Sequence, residues 1–289
     1  MAATQYCALE REPAPAVTVA SAVGSVTVVS GGEKKSPRRG DLLFENDGIV
    51  TGKASSLDLL IGGDTVIRVY ENTNAKLSAL LGEKNADGRF TLDKGSVFVI
   101  ITRLRKGASF RVLTPTTTIA VRGTSFRATA DRGGQVAVLT GKTEVRAVKD
   151  GVEKGSPAVV AKGNIAQVAA DRSAVNVRGL AAPETDSLIA EFVAVKETVI
   201  DRLPDARKES FAPDAAEVLR ERDMRLKDAR DRALRESLEA KKKAELELQE
   251  KLRKEAEEKK KKEDEARARA RREAQKQLPD RSGDVTGSK

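Results

Sequence analysis

The chain has 289 residues, a formal net charge of +9 and 34% charged side chains, but no His, no Trp and a single Cys. The absence of histidine excludes the Ser-His-Asp and Cys-His catalytic arrangements and the metal sites that depend on imidazole. One thiol excludes an internal disulfide framework and zinc sites built from cysteine pairs. We therefore expect no enzyme, with no catalytic residues, no cofactor and no bound metal.

The amino-terminal segment, residues 1–16, is predicted to be flexible. It shows no positively charged region followed by an apolar stretch, so no secretory signal is visible. Cys7 lies in this segment and has two interpretations. It is either an incidental thiol in a frayed end or the lipid-attachment cysteine of a chain whose leader has been removed.

Residues 17–170 are rich in Val, Ile, Thr and Gly and contain short runs that alternate between apolar and polar side chains. Glycine-containing turn signals separate these runs at a spacing of about ten residues. No helical pattern intervenes, which disfavours a parallel α/β sheet. The pattern predicts a mainly β domain, built as a stacked sandwich or a solenoid-like stack.

Residues 171–212 are predicted to form an amphipathic helix and a linker. Apolar residues recur there at helical spacing, which predicts a stripe that packs against the β domain. The stripe consists of Leu188, Ile189, Phe192, Val193, Val199, Ile200 and Leu203. Pro204 is expected to end this helix, and Pro213 to lie in the first turn of the next one.

Residues 213–277 consist almost entirely of Glu, Lys, Arg, Ala and Leu and predict one long charged helix. Acid-before-base pairs at i,i+4 spacing, such as Glu250 and Lys254, each stabilise a helix by about 0.2–0.5 kcal/mol. Charged residues interrupt the apolar heptads, so a solitary helix, a helix that docks on a partner or weakly self-associates as a coiled coil, and a disordered charged tail all stay open. Nucleic acid is disfavoured as a partner because glutamates flank the lysine cluster Lys259–Lys262. Residues 278–289 are predicted to be disordered.

Two strands joined at a corner are predicted for the segment VLTPTTTIAVRGTSFRATA. Pro115 restricts Thr114 to an extended conformation and marks a strand end or edge. Gly123 permits a bulge or a positive φ, after which Phe126 is predicted to be buried. Arg122 is either a ligand-binding cation or a side chain that satisfies carbonyls at the corner, and we favour the second role.

This segment and its surroundings resemble the signature of the FecR domain over roughly residues 17–170. The matching motif residues are Thr114, Pro115, Val121, Arg122, Gly123, Thr124, Phe126 and Gly141, and upstream Gly40-Asp41, Ile49-Val50-Thr51-Gly52 and Asn72-Thr73 are similar to the family's pattern. The resemblance implies that these residues are determinants of the fold. It supplies no catalytic, cofactor-binding or metal-binding residue.

For function, the resemblance implies a periplasmic, all-β, non-catalytic module that binds other proteins. In the founding members of the family, the domain follows a cytoplasmic anti-sigma segment and a membrane helix and relays the state of an outer-membrane receptor. Neither preceding part is recognisable in this sequence, and no apolar run approaches the roughly 20 residues of a membrane-spanning helix. We therefore expect a stand-alone type of FecR-like protein and do not carry over sigma-factor regulation.

Three functional hypotheses remain. The leading one is a scaffold or adaptor of the periplasm or cell envelope, whose β domain binds proteins or wall components, peptidoglycan-associated ones included. In that hypothesis the charged helix spans to or binds a second partner. The alternative is a signalling or sensory component that relays the state of a receptor or ligand, as FecR-type regulators do. The third is a cytoplasmic helical organiser, which would place the protein in the cytoplasm instead.

Overall fold

The computed structural model describes residues 17–80, 87–102, 104, 106–131 and 133–276, with side chains as far as residue 273. Cys7 and the terminal segments 1–16 and 278–289 lie outside the described residues, so their flexibility, disorder and lipid attachment stay predictions. By its contacts the chain divides into two compact units, Met1–Asp223 and Met224–Lys289.

Secondary structure runs from strands to helices along the chain. The elements are β1 (Val17–Val23), β2 (Val26–Ser30), β3 (Glu33–Lys35), β4 (Leu42–Leu43), β5 (Gly48–Thr51), β6 (Ser56–Ile61), β7 (Thr65–Val69), β8 (Asn74–Ala79), β9 (Asp87–Lys94), β10 (Ser96–Ile101), β11 (Ser109–Leu113), β12 (Thr117–Thr129), β13 (Gln135–Lys149), β14 (Val152–Ala161), β15 (Asn164–Val168), β16 (Val175–Gly179), α1 (Ala182–Thr198), a 3-10 turn (Ile200–Arg202) and α2 (Asp205–Lys276). The prediction of a mainly β domain followed by a long helix is confirmed.

The strands of the described residues form one sheet of 16 strands. Its main path runs in the order β3-β2-β5-β8-β9-β11-β12-β10-β7-β6-β1-β4. Beside this path β13 pairs with β12, β14 and β15, and β16 pairs with β15. The pairing is antiparallel apart from the parallel pair of β9 and β11.

The sheet folds on itself at the long strands β12 and β13, which produces two layers. The first half of β12 pairs with β11 and its second half pairs with β10, while β13 accompanies both halves. The first layer therefore contains β2, β3, β5, β8, β9, β11 and β14. The second layer contains β1, β4, β6, β7, β10, β15 and β16.

The main hydrophobic core lies between the two layers. Side chains alternate in direction along a strand, so every second residue of each layer points into this core. Phe90 and Phe110 enter it from the first layer, and Phe126 enters it from the second half of β12. Phe126 has no exposed surface, as its position after the corner predicts.

A second hydrophobic cluster lies on the outward side of the second layer, beneath the helices. Its sheet residues are Leu60, Val66, Phe98, Ile100, Ala137, Leu139 and Ile165, and its helical residues are Leu188, Ile189, Phe192, Val195, Val199, Ile200, Phe211, Ala215 and Val218. Val193 and Leu203 pack against it while partly buried. The predicted apolar stripe therefore does pack on the β domain.

Two predicted boundaries around the β domain and first helix need correction. The sheet does not end at residue 170, because the short strand Val175–Gly179 pairs with β15. Helix α1 ends at Thr198 rather than at Pro204, and a 3-10 turn fills the interval. Val199 and Ile200 stay buried through that change of helical type, so the apolar stripe continues although the α-helix does not.

The long helix begins at Asp205 rather than at residue 213, and Pro213 lies inside it. Proline cannot donate to the carbonyl of the preceding turn, which normally disfavours it within a helix. Here Phe211, Ala215 and Val218 flank the proline and are all buried. Burial of these side chains offsets the lost hydrogen bond, so the helix passes through Pro213.

The second unit is helical from Met224 to Lys276. At a rise of about 1.5 Å per residue, this part of α2 is about 80 Å long. Ion pairs at i,i+4 spacing line it, for example Lys254 with Glu250 at 3.1 Å and Lys262 with Glu258 at 2.9 Å. Its leucines are more than half exposed, so its solitary or coiled state stays a prediction. No described helix is long and apolar enough to cross a membrane.

Candidate functional site

The Thr-Pro part of the predicted motif forms the turn between β11 and β12. The backbone N–H of Thr114 donates to the carbonyl of Thr117 at 2.8 Å, and the Thr114 hydroxyl accepts from the N–H groups of Thr116 and Thr117 at 3.2 and 2.9 Å. Pro115 lies exposed within this turn, where it needs no hydrogen-bond donor. A Cβ at Gly134 would clash with the Thr116 hydroxyl, so the turn packs tightly on the backbone beside it.

The Val-Arg-Gly-Thr part of the motif forms the corner between the two layers. The pairing register of β12 with β13 shifts between Val121 and Thr124. Gly141 pairs with Thr124 and lies close to Gly123 there. The φ of Gly123 is +144° and that of Gly141 is +71°, and a Cβ on Gly141 would clash with the carbonyl oxygen of Gly123. The Thr124 hydroxyl donates to the carbonyl of Lys142 at 2.8 Å. The shift keeps both halves of β12 facing the core although the strand changes layer.

Arg122 differs from the other motif residues. Its side chain is exposed, and it makes no hydrogen bond or ion pair with another described residue. The predicted contact with carbonyls at the corner is therefore not formed. Thr114, Gly123, Thr124 and Gly141 shape the backbone, whereas Arg122 is available for a partner.

A buried ion pair lies where α1 meets the second layer. The Arg68 guanidinium donates through Nε to Oδ1 of Asp58 at 2.7 Å and through Nη2 to Oδ2 at 2.8 Å. Nη2 also contacts the hydroxyl of Thr198, in the last turn of α1, at 2.6 Å. Asp58 is 2% exposed and Arg68 is 9% exposed. This pair joins two neighbouring strands to the helix that covers them.

Burial and pairing act in opposite directions on Arg68. Burial alone would lower the pKa of the guanidinium, but the hydrogen bonds and the charge of Asp58 outweigh burial and raise that pKa. Arg68 therefore stays charged. Removing either partner would leave an uncompensated buried charge, which typically costs about 3–5 kcal/mol.

A second polar contact between sheet and helix lies beside this pair. Arg127 forms an ion pair with Glu191 of α1, and its Nε donates to Oε2 at 3.0 Å. The Arg127 guanidinium carbon lies 5.9 Å from the ring centroid of Tyr70, within cation–π range. Burial raises the pKa of Tyr70 to about 12, although the charges of Arg127 and Arg68 oppose that rise. We call Asp58, Arg68, Tyr70, Arg127, Glu191 and Thr198 the helix junction.

Sequence reasoning missed the helix junction, although one signal was present. Asp58 and Arg68 lie at equal distances from the centre of the Gly62-Gly63-Asp64 turn, which makes them cross-strand partners in a hairpin. Each is also a lone charge within an apolar strand, where opposite charges across a pair stabilise each other. Nothing comparable in the sequence links Arg127 to Glu191.

The outward side of the first layer carries a second set of functional candidates. Exposed cations lie on its central strands: Arg89 on β9, Arg111 on β11, Arg122 on β12 and Lys142 on β13. We call these four residues the basic face. Arg89 and Arg111 are direct partners in the parallel pairing of β9 and β11.

Small-molecule and metal sites are less well supported in the described residues. Those residues contain no group of three or more His, Cys, Asp or Glu side chains arranged to hold a metal ion. A cavity of about 290 Å³ adjoins the start of α1, with Arg127 and Glu184 among its lining residues. Both are already ion-paired, Arg127 with Glu191 and Glu184 with Arg178. The cavity therefore lacks a free charge that would select a ligand.

Comparison with known proteins gives one family match. The model described as FecR protein matches residues 47–144. Two crystal structures of a candidate anti-sigma factor from Parabacteroides distasonis ATCC 8503, at 1.65 and 2.50 Å resolution, each show 18% sequence identity and a TM-score of 0.41. These alignments cover 48% of this chain and 63% and 62% of the two crystallised chains, so less than two thirds of either is spanned. No curated protein sequence matches significantly.

Proposed function

Since residues 47–144 make this chain a FecR-domain protein, we propose that it is a non-catalytic signalling regulator that relays the state of a partner protein. The family match carries this proposal, and it includes every motif residue from Thr114 to Gly141. Proteins with FecR domains act by contacting other proteins, and the match favours relay over the scaffold role that led the sequence-based hypotheses. The place of action we propose is the periplasm or cell envelope.

The helix junction supports a relay because apolar packing holds α1 on the sheet, while the buried charges beneath the helix depend on its position. The apolar cluster around Phe98 and Phe192 holds α1 on the sheet. The charges of Asp58 and Arg68 lie beneath α1 and lose their hydration when the helix covers them. This desolvation offsets part of the free energy that is gained by burying the apolar side chains. A partner that binds the β domain and shifts strands β6 or β7 would change these contacts directly, and α1 would respond.

The scaffold hypothesis remains the second candidate because of the second unit. Between Met224 and residue 273, where the side chains of that unit are described, the leucines and the charged residues are exposed, apart from the half-buried Arg225. A surface of this kind suits a helix that binds or spans to another protein. In the scaffold role, binding at the helix would not depend on the state of the β domain.

The experiment that separates these functions compares gene expression in native cells. A strain lacking the chain would be complemented with the full chain, with a chain ending after Asp223, and with the junction variant Thr198→Val. A signalling regulator predicts a defined set of transcripts that changes on deletion and is restored by the full chain. The variant and the truncated chain are expected to restore it incompletely.

Thr198→Val is chosen because it removes one hydroxyl contact to Arg68 while preserving side-chain volume. The matched control is Thr27→Val, which makes a similar change on the half-buried outward side of β2, away from the helices. Unchanged transcripts on deletion, together with a loss of envelope integrity, would reject the signalling role and support the scaffold.

A further inference from the structure

The cations of the basic face lie on four successive neighbouring strands, β9, β11, β12 and β13. Arg89 and Arg111 lie directly opposite each other on neighbouring strands, an arrangement that is destabilising for like charges. Arg111 pairs with Ala120, which lies two residues before Arg122 on the same outward side of β12. Lys142 follows on the next strand, beside the same corner.

The four cations of the basic face are not held by acidic side chains of the described residues. None of Arg89, Arg111, Arg122 and Lys142 makes an ion pair with another described residue. Acidic side chains do lie nearby: Asp87 precedes Arg89 by two residues on β9, Glu144 lies across Ala120 from Arg111, and Glu153 pairs with Arg146 rather than with a cation of the face. The face therefore keeps a positive excess that a bound anionic group would relieve.

The neighbours of the cations favour a protein over a densely charged polymer. Aliphatic side chains interleave with the cations on the same outward side: Leu113 and Ala120 are half-buried and Val159 is 59% exposed. Most of the cations are arginines, which are enriched in protein interfaces and bind carboxylates in a bidentate manner, whereas lysine is depleted there. An extended segment with carboxylates on alternate residues would place its charges against the arginines and its apolar residues against the aliphatic side chains.

We propose that the basic face is the docking surface for an acidic, extended segment of a protein partner, with Arg89 and Arg111 as its main carboxylate-binding residues. This proposal rests on the proposed function, because it describes the chemistry of the partner whose state is relayed. Arg122 extends the same surface to the corner of the FecR motif. The Arg122 side chain does not shape the corner, and its role in this proposal is to bind the partner.

The test measures binding of a labelled peptide to the purified full chain. The probe is a peptide of alternating Glu and Val, about ten residues long, so that an extended conformation presents its carboxylates on one side. Fluorescence anisotropy at physiological salt gives its affinity for the native chain and for the double variant Arg89→Gln/Arg111→Gln. We expect the double variant to bind about tenfold or more weakly.

The matched control is Arg39→Gln/Arg207→Gln. It removes the same number of exposed arginines, which also make no ion pair with a described residue, from outside the face. It is expected to change affinity by less than about twofold. An equal loss in both variants would show that net charge alone attracts the peptide, and it would overturn the proposal.

Two further probes decide the class of partner. A peptide with Gln in place of Glu is expected not to bind, and equal binding of that peptide would remove the role of carboxylates. Dextran sulfate tests a general polyanion site. If it binds more tightly than the Glu peptide and depends on the same two arginines, the face is a polyanion surface and the proposal of a protein segment is wrong.

The outcomes for this face and for the signalling function are separable. If Thr198→Val fails to restore the transcripts but Arg89→Gln/Arg111→Gln restores them fully, the signalling function is supported and the docking surface is rejected. Peptide binding that depends on the arginines, in a chain whose deletion alters no transcript, would retain the surface and reject the relay.

Discussion

The two layers of the sheet share one core but present very different outward sides. On the second layer, outward residues such as Leu60, Phe98 and Ile100 are buried beneath the helices. On the first layer, the corresponding outward positions hold Arg89, Arg111 and other exposed polar residues, with aliphatic side chains such as Val159 between them. Inward positions are mostly apolar in both layers, with a few buried threonines such as Thr117 and Thr143. The outward residues alone therefore decide which side of the sheet receives the helices and which remains open to a partner.

The amino-acid sequences of the strands show the same difference. β10 reads SVFVII and is apolar at nearly every position, whereas β11 reads SFRVL and places arginine between its inward residues. Strands buried on both faces have near-continuous apolar runs, and strands with one wet face alternate. The two kinds of strand thus distinguish a covered surface from an available one.

The largest expected effect comes from removing part of the helical cover. A chain ending after Pro204 loses Phe211, Ala215 and Val218 from the second cluster, and the loss of a buried phenylalanine alone costs about 3–5 kcal/mol. A chain ending after Asp223 keeps all three residues. Its free energy of unfolding should lie within about 1 kcal/mol of the full chain. Urea denaturation followed by circular dichroism measures both chains, and equal stability would show that α2 contributes nothing to the covered side.

The next prediction compares the loss of stability when one charged side chain is removed from each side of the sheet. Arg68→Ala leaves Asp58 buried without its partner and should cost about 3–5 kcal/mol. Arg111→Ala removes an arginine from the basic face and should change stability by no more than about 0.5 kcal/mol. Urea midpoints of both variants provide the comparison. If the two substitutions cost the same, the distinction between covered and available sides fails.

A double variant tests why the pair at the junction is ionic. In Asp58→Leu/Arg68→Met both charges are replaced by apolar side chains of similar size, a change that is often neutral or stabilising. We expect its stability to equal or exceed that of the native chain. Tyr70 adjoins the pair, so near-ultraviolet circular dichroism can show whether α1 remains in place. A large loss of stability would mean that the geometry of the ion pair, rather than charge neutralisation, holds the helix.

Much of the fold follows from local patterns in the sequence. Period-two runs and glycine turns predict the β domain, and the stripe from Leu188 to Leu203 predicts the packed helix. The predicted element boundaries are wrong where tertiary burial overrides the conformational preference of a single residue. Pro213 predicts a helix start, yet tertiary burial of Phe211 and Val218 carries α2 through it.

The candidate sites also differ in how far the sequence predicts them. The turn at Thr114-Pro115 and the corner at Gly123 follow from backbone restrictions that single residues impose, and these are visible in sequence. The contact of Arg127 with Glu191 joins residues far apart in the chain, and it depends on how α1 lies across β12. Neither periodicity nor a motif encodes that placement, so the helix junction could be predicted only for its hairpin pair.

The smallest expected effect concerns the start of the covering helix. Glu184 receives hydrogen bonds from Arg178 at 2.6 and 2.8 Å and from the backbone N–H of Ala181 at 2.7 Å. The hydrogen bonds of Arg178, followed by that of Ala181, lower the pKa of Glu184 from 4.5 to about 2. Because the folded-state pKa is depressed, the stabilisation is present above pH 4.5 and is lost as the pH falls towards 2.

Glu184→Gln should therefore lower the free energy of unfolding by less than about 1 kcal/mol at neutral pH, since the carboxylate is exposed and screened by water. The difference from the native chain should shrink towards zero as the pH falls through this window. Urea midpoints at neutral pH and at several acidic values measure it. Glu197→Gln is the control, because this exposed carboxylate of α1 makes no ion pair with a described residue. A difference for Glu184→Gln that does not depend on pH would mean that the side chain caps the helix without its charge, and the covered side would then owe nothing to this ion pair.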